Sequence, residues 1–142
     1  MVVVEPMTVI GGILGHAKSI IDYINDVKNA SQDQKDLLNE IIATQSILTQ
    51  LQSHAKDAQW KVAMDALNQK DGALEQLTAE LEKMETKLKS PSGKVGKTVN
   101  VLAWHFNKDD VKKHFERIGR INGVLQLALQ NNHRFTLHRI AR

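Results

Sequence analysis

Residues 102–129 read LAWHFNKDDVKKHFERIGRINGVLQLAL, and the spacing within this stretch decides the fold. Asn107 is placed to accept a backbone hydrogen bond from the first turn of a helix, and Asp109 and Asp110 follow where the positive end of the helix dipole favours carboxylates. Apolar residues then return at Val111, Phe115, Ile118, Ile121, Leu125 and Leu129, in steps of three and four. That is one stripe on one helical face. A helix of this kind has to bury its stripe against other helices, which leaves Lys112, Lys113, Arg117 and Arg120 as a basic surface facing water.

The same period recurs on the N-terminal side. A first helix is expected from about Thr8 to Lys28, with Ile10, Ile13, Leu14, Ala17, Ile20, Ile21, Ile24 and Val27 on its stripe. A second opens at Ser31, where Ser31-Gln32-Asp33-Gln34 has the form of a capping box, and carries Leu37, Leu38, Ile41, Ile42, Leu48 and Leu51 toward His54. Only Asn29 and Ala30 separate the two, so they should form a tight antiparallel pair. A third begins near Asp57 and keeps one phase through Trp60, Met64, Leu67, Asp71, Leu74, Leu77 or Thr78, Leu81, Met84 and Leu88. That continuity predicts a single rod of about 50 Å, weakened by about 1 kcal/mol at Gly72. Ser90-Pro91-Ser92-Gly93 stops it, and a short helix from Lys94 to Phe106 should connect it to the last one. No stretch alternates with period two, so no sheet is expected. The expected fold is all-α: an antiparallel helical bundle of four main helices plus a short connecting helix, spanning residues 1–132, with a short basic tail at 133–142.

A chain of 142 residues, 42% of them hydrophobic, has material for one core and one domain. It has no cysteine, which removes disulfides, thiolate nucleophiles and cysteine-based zinc sites and fits a cytoplasmic protein. The opening MVVVEPMTVIGGILG has no basic leader and carries Glu5 and Pro6, so it does not read as a signal peptide. Its apolar run is also shorter than the roughly 20 residues that span a bilayer. The formal charge of +3 is unevenly placed. Acids prevail up to residue 59, and from Lys87 onward twelve lysines and arginines face only Asp109, Asp110 and Glu116. A basic end of this kind suits an anionic membrane, a nucleic acid or an acidic partner, and equally a plain solvated helix face.

Motifs that would carry chemistry fail on their spacing. Gly96-Lys97-Thr98 resembles the end of a phosphate-binding loop, but Pro91 stands where the first glycine is required, and no strand precedes it. His16, His54, His105, His114, His133 and His138 show no paired ligand spacing, so they read as surface or core-edge residues and no metal or other cofactor is expected. Carboxylates such as Glu82 and Glu85 sit among lysines on solvated faces, with Asp71 the one acid that interrupts a stripe. No nucleophile, base and orienting group can be nominated together, so an enzyme with a small-molecule substrate is not expected. Gly11 and Gly15, in the apolar run from Met7, have the spacing that lets helices approach closely in lipid, although an ordinary buried first helix with a frayed start accounts for them too.

These features together resemble a known family. A glycine-interrupted apolar first helix, a capped second helix and a long leucine-rich third helix ending in lysines lead to Leu102-Ala103-Trp104-His105-Phe106, Lys108-Asp109-Asp110-Val111 and Gly123-Val124-Leu125-Gln126-Leu127-Ala128-Leu129. Over residues 7–132 this is similar to the HeLo-like N-terminal domain of fungal STAND (NOD-like receptor) proteins, related to the HeLo and MLKL four-helix bundles. Members often carry proline directly after that tryptophan, where this chain has His105. The resemblance implies a non-enzymatic effector of programmed cell death or innate immunity that self-associates and is recruited from the cytoplasm to a membrane. It would put the membrane-active element at Met7, Val9, Ile10, Ile13 and Leu14, with anionic lipids as partners and the basic residues of the last helix as a second contact. The chain carries no nucleotide-binding module, so it reads as a stand-alone effector or a piece of a longer protein. From another functional class, a soluble helical adaptor binding a partner helix in an exposed groove is the alternative. Nucleic acid is not an expected partner.

Overall fold

The computed structural model describes residues 5–27, 30–88 and 108–141, and all the regular structure among them is helical. Helix α1 is Pro6–Asn25 and α2 is Gln32–His54. A 3-10 turn at Ala58–Trp60 leads into α3, Lys61–Leu67, followed by α4, Ala73–Leu88, and α5, Lys108–Ala141. Helix α1 packs on α2 and α4, and α5 packs on the same two, so α1 and α5 face each other across the core. Lys87 pairs with Asp110 and Glu80 with His114, which sets α4 and α5 running in opposite directions.

The local signals explain most of the boundaries. Pro6 occupies the start of α1, where its missing N–H leaves no bond unmade. At α2 the capping box forms: Ser31 Oγ accepts from the Gln34 backbone N–H at 3.2 Å, and Gln34 Oε1 accepts from the Ser31 N–H at 2.9 Å. Beyond α2, the His54 ring stacks on Trp60 with centroids 4.2 Å apart and planes 3° from parallel. The stack fixes the corner that buries Trp60. From there the 3-10 turn and α3 carry the chain to α4, placing Met64 and Leu67 in the same core.

The expected rod from Asp57 to Leu88 is broken. Helix α3 stops at Leu67 and α4 begins at Ala73, with Asp71 between them in the left-handed region at φ 62°. A Cβ on Gly72 would lie 2.8 Å from the carbonyl oxygens of both Leu67 and Gln69. Glycine therefore permits a corner here rather than merely weakening a helix. Leu67 and Leu74 both remain buried, because the five-residue corner returns the apolar stripe to the core in the phase a straight helix would have kept. Lys61–Leu67 is thus a short helix that the sequence reading did not separate from the third. The one expected at Lys94 to Phe106 falls outside the described residues, as do the Ser90 to Gly93 linker, the Trp104 corner and the Asn107 cap.

The stripes on the other helices are largely those expected. In α1, Ile10, Ile13, Ala17, Ile20 and Ile24 are buried, with Leu14 and Ile21 half-buried against them. Helix α5 buries Val111, Ile118, Ile121 and Leu125, with Phe115 and Leu129 at its edges, and it continues through residues 133–141 as helix. In α2, Ile42 is not core: 43% of its surface is exposed, and Thr44 and Ile47 take the buried positions.

Candidate functional site

The five apolar residues assigned to membrane contact lie along α1, and the structure turns them toward the core. Ile10 and Ile13 are buried, while Met7, Val9 and Leu14 are half-buried. On the opposite side, a Cβ added at Gly11, Gly12 or Gly15 would meet nothing within 4 Å. Over Gly11 to Gly15 the outer surface of the helix is therefore bare backbone. Its polar tie to α4 is His16, whose Nδ1 lies 2.7 Å from Glu85 Oε2 and whose Nε2 lies 3.6 Å from Glu82 Oε1. The two carboxylates approach opposite ring nitrogens and so cannot converge on one ion. No cluster of three or more potential metal ligands occurs among the described residues.

The four basic candidates do not form one patch. Successive residues on a helix are about 100° apart, so Lys113, Arg117 and Arg120 share a stripe, with Val124 and Leu127 continuing it, while Lys112 points to another side. Val124 and Leu127 are exposed at 52% and 57%. Arg117 leans inward, with a guanidinium nitrogen 3.5 Å from Glu80 Oε1, and that same oxygen lies 2.5 Å from His114 Nδ1. Arg120 has no carboxylate within 4.0 Å among the described residues. Between α4 and α5 lies a groove of about 510 Å³, with Ala73, Ala79, Ile121 and Val124 as apolar walls and Gln76, Glu80, Arg117 and Arg120 as polar ones.

Glu80 corrects the expectation that the carboxylates sit on solvated faces: it is 7% exposed, whereas Asp71, the acid that interrupts the stripe, is exposed. His114, at 5%, is likewise inside the protein rather than at the edge of the core. A second buried polar group joins α2 to α5. The Thr44 hydroxyl donates to Asn122 Oδ1 at 2.8 Å, and Asn122 Nδ2 donates to the Glu40 carbonyl at 3.1 Å and to Glu40 Oε1 at 2.9 Å. The sequence did hold a signal for all four buried polar residues among those described. Thr44, Glu80, His114 and Asn122 each stand three or four positions from stripe residues on both sides, between Ile41 and Leu48, Leu77 and Met84, Val111 and Ile118, and Ile118 and Leu125. Following apolar residues alone passes over them, since a polar residue inside the stripe is buried only if a partner on another helix satisfies it.

Among the described residues, no helix is long and apolar enough to cross a membrane. Comparison with protein-family models, with curated proteins and with solved structures gives no match to this chain.

Proposed function

We propose that this chain is a non-enzymatic effector domain of the HeLo-like kind, which self-associates and engages anionic membranes through α1. In that reading the four main helices alternate in direction along the chain, and fungal programmed cell death or innate immunity is the setting. The observation that carries it is the two-sidedness of α1: an apolar face held in the core, and an outer face of glycines that touch nothing. Three glycines in a helix cost roughly 3 kcal/mol relative to alanine, a sizeable share of the 5–15 kcal/mol that holds a domain together. Detaching α1 is thereby made easier. Its freed face, with Lys18 and Asp22 on the polar side, suits a helix lying in the lipid interface rather than spanning it. Lys113 and Arg120 can add attraction to anionic headgroups, at about 1 kcal/mol per charge close to the surface.

The test is dye leakage from phosphatidylglycerol-containing liposomes by a His16→Cys/Glu85→Cys protein, since no native cysteine competes. Bridging the two thiols with a short bis-maleimide should abolish leakage caused by the unbridged protein. Leakage unaffected by the bridge, or absent from every oligomer, overturns the reading. A groove between α1 and α2 beside the exposed Ile42, about 610 Å³ and lined also by Leu14 and Thr49, favours the adaptor alternative. In that case an Ile42→Glu protein loses its partner helix while α1 stays bridged.

A further inference from the structure

We infer that the groove between α4 and α5 is a binding site for a small soluble amphiphile, an anionic head of the carboxylate or phosphate type joined to a compact apolar body. This site does not depend on α1, which packs on α2 and α4 and forms no wall of the groove; it shares only Arg120 with the membrane reading. Its volume, about 510 Å³, lies within the 300–1,000 Å³ typical of small-molecule pockets. Its length argues against a partner helix: Ala73 to Glu80 covers only about 10 Å of α4, about two turns, where an amphipathic helix needs anchors over a longer track.

Charge decides the sign of the ligand. Glu80 is the only acid on the walls, and its carboxylate is already engaged by His114 and Arg117. Arg120 is left over, a guanidinium with five donors at the rim. A carboxylate or phosphate is the group that matches this fork bidentately. The walls beside it are largely apolar, with Gln76 their one uncharged polar side chain: Val124 is half exposed, Ala73 and Ala79 are too small to close the space, and Ile121 is buried beneath. A ligand with charge at one end and hydrocarbon at the other pairs Arg120 and covers those walls in one act. A wholly polar anion would leave the apolar walls in water, and a neutral amphiphile would leave Arg120 unpaired.

The experiment is calorimetric titration of the whole chain with octyl phosphate below its micelle-forming concentration, with octanol and octyltrimethylammonium as matched probes. Saturable one-to-one binding of octyl phosphate is expected, weakened about tenfold or more in Arg120→Gln, the loss of one charge-assisted pair. Ala79→Trp, which fills the groove from an exposed position, should abolish it, and Lys112→Gln, on another side of α5, should leave it unchanged. Far-UV circular dichroism and the melting temperature verify that each variant folds. Equal binding of octanol or of the cationic probe, binding that survives Ala79→Trp, or binding seen only with phosphatidylglycerol vesicles overturns the inference.

Discussion

At the scale of single residues, two positions show how context fixes the meaning of a side chain. Gly72 looks like a defect in a long helix until the corner is seen, where two backbone carbonyls stand 2.8 Å from any added Cβ. Backbone atoms at a turn cannot rotate aside as a side chain can, so Gly72→Ala should cost about 1–3 kcal/mol. Urea unfolding measures this, and a stabilisation of about 1 kcal/mol would instead be the signature of an uninterrupted helix. Tyr23, half-buried against the core near the end of α1, has its phenol pushed above the ordinary value of 10.0 by desolvation. The folded state then holds the proton more tightly than the unfolded chain. Its contribution to stability is complete below pH 10 and is lost as pH rises through the raised value. Unfolding free energies compared at about pH 9 and about pH 11 should fall less in Tyr23→Phe than in the parent protein.

At the scale of elements, the interface between α4 and α5 depends on a carboxylate that sits inside the apolar stripe, between Leu77 and Met84. Glu80 accepts from His114 inside the protein and faces Arg117 at the groove. Removing the acid takes the acceptor from His114 Nδ1 and a charge partner from Arg117, so Glu80→Ala should cost about 3 kcal/mol. The double variant Glu80→Leu/His114→Leu should cost clearly less than the sum of its two single changes, because apolar groups of similar size can replace a satisfied buried pair. Chemical denaturation of the four proteins in that cycle measures the coupling, and strict additivity would show that the two residues do not act as a pair. The position of each residue in its stripe is legible in the sequence, but their pairing across 34 positions is not. The start of α2, by contrast, was legible from its cap, Ser31 and Gln34, since those bonds form within four residues and depend on nothing distant.

At the scale of the whole molecule, the arrangement of helices is written in polar ties between elements far apart in sequence. His16 joins α1 to α4, Asn122 joins α5 to α2, and Glu80 joins α4 to α5, each across 34 or more positions. An apolar stripe can pack against any other apolar stripe, whereas an imidazole and a carboxylate satisfy each other only in one register. The basic surface shows the same division: the sequence supplied its four charges, and the wrapping of α5 sent Lys112 one way and Lys113, Arg117 and Arg120 another, beside a groove that no linear pattern foretells. The sequence by itself determined the all-helical class, the stripe on each helix and the capped start of α2, because helical periodicity and capping are local properties of the chain. Only the tertiary structure decided where the third helix breaks, which helices are neighbours and which polar residues go inside. Those outcomes rest on partners brought together from distant positions, and a buried polar group is favourable only when its partner arrives with it.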